Sequence, residues 1–477
     1  MTVLKSRPRV VILGAGPAGV GAAYRLAARG DSEVCLVERQ SAVGGNAGSF
    51  DLAGMRVDYG SHRLHHECDP GILADLRDLL GGDLVARPRR GRIRLHGRWI
   101  HFPLKPFDLL FHLPISFNAG ILGDIACKPF RRSAQSGETF ATVLRRGLGA
   151  TICRDFYFPY AHKLWGLPAN ELSAEQARRR IAAGSIGKLV ARALSSLPGL
   201  KKPPTGRFYY CRRGYGQISE RLHEAATTAG AQTLFGTSVA GITHRDRTVS
   251  AVRVSNNGAD HSLPATLVWS TIPITRLVQL MDPPAPVEIR TAASKIGFRS
   301  MILVYLVLEV PQFTEFDAHY FPEIDIPITR LSEPKNYSGV MEPPDATVLC
   351  AELPCSLDGQ AWGLSDDALG ELVQASLARA GLPIRAPVRS VTTRRLAQAY
   401  PIYRVGFEHD FALLDQWLEG FEGLLTFGRQ GLFVHDNTHH ALFMAYAAAE
   451  CLAPDGSFDK ARWRHYRRLF DRHVVVD

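Results

Sequence analysis

The chain has 477 residues, of which 46% are hydrophobic and 21% charged, with a net charge of +10. That is ordinary globular composition, long enough for two or more packed lobes, and it argues against a disordered or fibrous protein. No apolar run is long enough to span a bilayer, and the eight scattered cysteines form no C-x-x-C pair, which argues against a zinc site or a disulfide framework.

Arg9 to Leu13 is a continuous apolar, β-branched run, predicted as a strand buried on both faces. With so short a lead, no signal peptide is expected; with the free thiols this predicts a cytoplasmic protein. Gly14 to Gly19 predict a turn, Val20 to Ala28 a helix closed by Gly30, and Glu33 to Val37 a second buried strand ending at Glu38. The spacing suits the right-handed crossover of a parallel sheet.

Gly14, Gly16 and Gly19 therefore form G-x-G-x-x-G between a strand and a helix, with Pro17 and Ala18 at the helix opening. Gly14 permits the tight turn, Gly16 lets backbone approach a pyrophosphate, and Gly19 lets helix and strand pack closely. The free amides and positive dipole end of the helix then face the phosphates. Glu38, nineteen residues past the last glycine, is placed to bond ribose hydroxyls and to repel a 2′-phosphate, with Arg39 beside it. Gly44, Gly45, Asn46 and Ala47 supply a second turn whose amides complete the cradle. Asp58, Tyr59, Gly60, Ser61 and His62 bring small residues to the same crevice, where a flavin ring would rest on backbone. The predicted cofactor is FAD, and no metal is expected.

From about residue 86 the texture changes. Arg92 to Leu95 is a short strand; Pro103 to Pro129 is apolar, aromatic and broken by prolines, and helical segments continue through Leu200. After the Pro-rich Lys201 to Thr205 come a strand (Arg207 to Tyr210), a helix (Gly216 to Ala229) and a strand (Gln232 to Gly236). His244 to Val254 alternates like a hairpin strand, and Ala265 to Thr271 is a buried strand. Ile302 to Val310 is a strongly apolar strand, followed by irregular chain to about Tyr400. A strand at Gly423 to Gly428 and a helix from His439 to Cys451 close the pattern. The expected division is a discontinuous FAD-binding domain at 1–85, 205–290 and 400–455, a substrate lobe at 86–204 and 291–399, and a C-terminal helix in 456–477.

Together, Gly14 to Gly19, Glu38, Gly44-Gly45 and Asp58 to His62 resemble the flavoprotein group of amine oxidases, protoporphyrinogen oxidase-like proteins and UDP-galactopyranose mutases. Phe158 to Gly166, Gly214-Tyr215-Gly216, Ser270 to Pro273, Arg330 to Asn336 and Gly428 to Gly431 resemble later motifs of that group. The resemblance implies an α/β fold: a Rossmann-like FAD-binding domain of the GR2 type with a discontinuous α+β substrate domain. It implies that Val239 contacts the adenine portion and that Gly428 and Arg429 lie near flavin and pyrophosphate, with Asn437 and Thr438 opening the following helix. Gly60-Ser61-His62-Arg63-Leu64-His65 is similar to a mutase stretch. Where mutases carry two tyrosines and an aspartate, however, this chain has Phe433, His435 and His439.

The resemblance and the residues together predict hydride transfer from a small molecule to flavin N5, with a redox-neutral sugar mutase as the alternative. His62 and His65 are candidates beside the flavin, the competing role being packing within their turn. His435, Asn437, His439 and His440 form a candidate proton relay, against helix capping by Asn437 or Thr438. Lys163, with Arg330, offers charge to an anionic or sugar-derived substrate, since a buried ammonium needs a partner. The basic excess is spread along the chain without interleaved aromatics, so no nucleic-acid partner is expected. Ile181 to Leu200 and Phe107 to Ile115 would suit a membrane surface, but burial against the other lobe is the favoured expectation.

Overall fold

The computed structural model describes residues 7–103, 108, 111–127, 137–180 and 206–475. Strand β1 (Arg9–Leu13), helix α1 (Pro17–Arg29) and strand β2 (Glu33–Val37) form at the places the pattern predicts. β1 is central because Val10, Val11, Ile12 and Leu13 are wholly buried and belong to cores on both faces of the sheet. The sheet has five parallel strands in the order Leu424–Thr426, Leu267–Ser270, β1, β2, Gln232–Leu234. α1 begins with Pro17 and ends at Gly30, whose left-handed backbone (φ 71°) lets its N–H reach the carbonyls of Leu26 and Ala27. It packs against the helices Gln217–Thr228 and Thr438–Glu450. The approach is close: a Cβ on Gly21 would lie 2.8 Å from Leu442 Cδ2.

A second sheet of seven strands runs Val388–Ile402, Gly297–Leu308, Thr347–Cys355, Arg330–Ser332, Ala318–Tyr320, Gly91–Leu95, Arg98–Phe102. Alternate residues of its strand Gly297–Leu308 serve two cores. Ile302, Val304 and Leu306 meet Leu369, Val373 and Leu377 of the helix Asp366–Arg379. Met301, Leu303, Tyr305 and Val307 turn the other way and pack with Met55 and Val57 of the hairpin that follows the glycine loops. This second contact sets one sheet against the cofactor motif.

Three expectations need correction. The stretch after Val310, read as irregular, holds the fully buried strand Thr347–Cys355, the helix Asp366–Arg379 and the long strand Val388–Ile402. Pro354 masks the first of these strands, and exposed arginines such as Arg389 and Arg394 mask the last. His244 to Val254 is not one strand: Thr237–Arg245 and Thr248–Asn256 pair across Asp246 and Arg247, both at positive φ without glycine. Arg207–Cys211 is a strand, as the pattern predicts, and pairs with Leu84–Pro88. The segment Ile181 to Leu200 and the linker Lys201 to Thr205 lie outside the described residues, as do Phe107, Leu109 and Leu110. Of the rest of the proposed surface segment, Phe111 and Ile115 are exposed, against the favoured expectation of burial. Among the described residues, no helix is long and apolar enough to cross a membrane.

The C-terminal helix is Lys460–Phe470. Its Trp463 and Phe470 are buried, and Phe470 meets Phe443 of the helix Thr438–Glu450.

Candidate functional site

A cleft of about 1020 Å³ runs from the carboxyl ends of the parallel strands to the seven-stranded sheet. Its first wall is the glycine turn after β1. A Cβ on Gly19 would lie 1.9 Å from the Gly14 carbonyl oxygen, so this glycine is required for β1 and α1 to pack at their observed distance. No side chain caps the start of α1, which leaves its first-turn amides directed at the cleft. The second glycine turn faces the first. Gly44 N–H bonds the Ala15 carbonyl at 2.8 Å, and a Cβ on Gly45 would come within 3.2 Å of Gly16 Cα. The slot between the two turns is thus one that any side chain on these glycines would fill, which fits a diphosphate held by backbone.

Glu38 also braces this slot. Its Oε2 accepts the Ala15 N–H at 2.8 Å and its Oε1 the Gln40 N–H at 2.9 Å. The remaining lone pairs of this buried carboxylate face the cleft, which fits a ribose diol. Arg39, Val239, Asn46 and Ala47 line the same end.

Toward the second sheet, the turn Asp58 to His62 is held from both sides. Asp58 accepts hydrogen bonds from Ser49 Oγ (2.6 Å), Tyr210 OH (2.6 Å) and Tyr215 N–H (2.9 Å). Burial pushes its carboxyl above the ordinary range, and those donors pull the other way. Glu352, from the strand Thr347–Cys355, accepts the Ser61 N–H at 2.9 Å and both Nε and Nη2 of Arg330, at 2.9 and 2.7 Å. His62 is stacked on Tyr215 at 5.4 Å, and its Nε2 lies 2.9 Å from the Tyr59 carbonyl. A carbonyl only accepts, so Nε2 carries the proton and Nδ1 is left with a lone pair. Burial lowers the pKa of His62 below its ordinary value, so the ring is neutral at neutral pH.

The structure brings Gly14, Gly16, Pro17, Ala18, Glu38, Arg39, Gly45, Asn46, Ala47, Ser61, His62, His65, Val239, Arg429, Asn437 and Thr438 to this one cleft. Gly19, Gly60 and Gly428 stand behind its lining. Gly60 backs onto Glu352, and a Cβ on Gly428 would lie 2.8 Å from that of Ala18, so all three act through close packing. Asn437 is the N-cap of the last cofactor-side helix, and its N–H reaches His440 Nδ1 at 3.3 Å.

Two catalytic candidates are not brought to the cleft lining. Lys163 is buried with Nζ donating to the carbonyls of Phe321, Glu323 (3.1 Å) and Ile328 (2.8 Å), a structural tie between a helix and a loop. Burial depresses its pKa to about 7. His435 is packed among Trp165, Tyr400 and Tyr403, and burial beside Arg180 and Arg429 keeps it neutral. The proposed relay is therefore divided. His439 stacks on His65 at 5.9 Å and meets His440, which stacks on His473 at 4.2 Å, so this imidazole row runs apart from His435. Among the described residues, two donor groups are close enough to share a cation, His65-His66-Glu67 and Asp436-His440-His473. Phe433 is buried among Phe298, Tyr403 and Phe407.

What the sequence did not reveal is the charge of the cleft. Ten arginines line it against four carboxylates, Glu38, Asp51, Glu220 and Asp436. Arg89 and Arg394 have no carboxylate partner among the described residues; they lie over the rings of Phe102 (4.4 Å) and Phe50 (4.5 Å). These arginines are scattered in sequence from Arg39 to Arg429, so no local run announces them.

Comparison with known proteins agrees with this architecture. The chain is similar to reduced UDP-galactopyranose mutase (TM-score 0.79, 22% identity, 96% of this chain and 97% of that one). It is also similar to a protein provisionally assigned as a protoporphyrinogen oxidase from Exiguobacterium sp. 255-15 (TM-score 0.69, 22% identity, 93% and 98%). Putrescine oxidase with putrescine bound matches at a TM-score of 0.64 and 17% identity, over 93% and 98% of the two chains. At these identities the likeness concerns the fold. The family described as flavin containing amine oxidoreductase matches residues 17–419. With most of its length matched and a cleft built for a flavin dinucleotide, the chain belongs to the flavin-containing amine oxidoreductase family, and its cofactor is FAD.

Proposed function

We propose that this protein oxidises a small anionic molecule, passing a hydride from a substrate carbon to flavin N5. The observation that carries the reading is a single cleft joining the dinucleotide slot to a cationic chamber against the second sheet. Bound FAD supplies the electron sink; the chain's residues bind, orient and exclude water. The glycine turns and the start of α1 would hold its diphosphate and Glu38 its ribose, and the opening of the helix at Thr438 would offer a positive dipole end to an electron-rich ring. Arg89 and Arg394 remain for an anionic group on the substrate. Neutral His62, fixed by the Tyr59 carbonyl, presents an Nδ1 lone pair that can accept a proton as the substrate is oxidised.

The test is anaerobic. Candidate amines, alcohols and acids are mixed with the yellow protein, and one class should bleach the flavin. No bleaching by any of them counts against the proposal. One observation favours a second reading, a redox-neutral sugar mutase: His62 and His65 both line the cleft. Turnover only after dithionite reduction, with no net consumption of oxidant, would select it.

A further inference from the structure

A carboxylate and two imidazoles meet where the helix Thr438–Glu450 begins. Asp436 stands just ahead of the N-cap, His440 lies in the first turn, and His473 comes from the chain just past the helix Lys460–Phe470. Asp436 is 2% exposed, and one donor atom from each of the three residues lies within 4.8 Å of the other two. Among the described residues no lysine or arginine pairs with this carboxylate; its near partners are the two imidazoles. Asp436 Oδ2 accepts from His473 Nδ1 at 2.9 Å. The contact with His440 is of another kind. His440 Nδ1 accepts the Asn437 N–H at 3.3 Å, and that bond assigns it a lone pair and no proton. The same nitrogen lies 3.8 Å from Asp436 Oδ1. Two acceptors thus stand close together, largely shielded from water, with no hydrogen to join them, and a cation between them would satisfy both. More imidazole lies alongside: His439 continues the row from His440 to His65 and His66, and its own Nδ1 is buried without a hydrogen-bond partner.

We propose that Asp436, His440 and His473 bind one divalent metal ion of the zinc class. The donor set decides the class. Two imidazole nitrogens and one carboxylate oxygen suit Zn²⁺, whereas Mg²⁺ and Ca²⁺ take oxygen donors. Three protein ligands leave the fourth tetrahedral position to water. An imidazole holds a metal in the plane of its ring. The near-parallel rings of His440 and His473, 4.2 Å apart, must therefore turn about Cβ–Cγ on binding, a torsion with a broad minimum. His473 then ligates as its other tautomer, with the ring proton on Nε2. Bound metal would pin the chain beyond the C-terminal helix to the start of the helix Thr438–Glu450, where Asp436, Asn437 and Thr438 line the cleft. The inference does not depend on which reaction the flavin performs.

The flavin-loaded, full-length protein is stripped with EDTA, dialysed, and titrated with Zn²⁺ against a chromophoric chelator. It should take up one equivalent at these residues, and its melting temperature should rise with Zn²⁺ and not with Mg²⁺. His473→Ala should weaken that uptake more than about a hundredfold, since outer-shell partners alone are worth about 10–100-fold. His473→Gln tests the ligand apart from the hydrogen bond: its amide can still donate to Asp436, but it has no imidazole and should lose the metal as fully. His66→Ala should bind Zn²⁺ as wild type does, which separates this group from His65, His66 and Glu67. Wild-type protein that takes up no Zn²⁺ overturns the proposal, as does uptake that both His473 variants retain. An equal rise in melting temperature with Mg²⁺ overturns the zinc-class assignment. Loss of the metal in His66→Ala alone would place it in the other group and overturn the proposal as well.

Discussion

Gly19→Ala is the sharpest perturbation of the cofactor slot. The added methyl would sit 1.9 Å from the Gly14 carbonyl oxygen and 3.0 Å from its carbon, both backbone atoms with no side-chain freedom to yield. Relief to a tolerable separation of 3.0 Å or more requires α1 to move off β1 by over 1 Å. Overpacking of this kind costs about 1–3 kcal/mol. The same movement draws the first-turn amides off the diphosphate, and one charge-assisted hydrogen bond is worth about 1.5–3 kcal/mol. FAD affinity should therefore fall about ten- to a hundredfold. The assay is the ratio of flavin to protein absorbance after purification, with melting temperatures measured with and without added FAD. Gly82→Ala is the control, since a Cβ there meets nothing within 4 Å. If Gly19→Ala keeps wild-type flavin content and melting temperature, the close-approach reasoning is refuted.

Three further variants follow from the contacts. Glu352→Gln removes the charge that Arg330 faces while Ser61 hangs on the same oxygen; breaking this buried pair should cost about 3–5 kcal/mol in chemical denaturation, and a near-neutral result would contradict it. Lys163→Met leaves three carbonyls without their donor and should destabilise by roughly 2–4 kcal/mol while folded protein keeps its flavin. The same variant bears on pH. The folded amine titrates at about 7 and the free one at 10.5, so the unfolded chain holds more protons between these values and stability rises with pH across that window. Denaturation at several pH values should show this rise in wild type and its loss in Lys163→Met. Finally, Arg89→Ala with Arg394→Ala should weaken the perturbation of the flavin spectrum by inorganic pyrophosphate by about tenfold, and equal titrations would remove these arginines from anion binding.

Some of the site was legible in the chain because its determinants are close together. β1, the glycine turn, α1 and β2 follow from apolar runs, three glycines and Glu38 within thirty residues, and β1 pairs directly with β2. The resemblance carried the reading further, to Val239, Arg429, Asn437 and Thr438, which all reach the cleft. Lys163 and His435 stand off the cleft lining for a common reason: their residue types suit chemistry, and only distant partners set their environments. The carbonyls that hold Lys163 come from positions 321 to 328, and the rings around His435 from Trp165, Tyr400 and Tyr403.

By itself, then, the sequence determined the dinucleotide unit, the preference for FAD and the two-lobed plan. Tertiary structure alone decided which arginines share a chamber and which glycines pack behind the lining. The division is physical. Periodicity and turn chemistry act over a few residues and are written along the chain, whereas burial, electrostatic field and exposure are set by segments hundreds of residues apart that meet only once the sheets have packed.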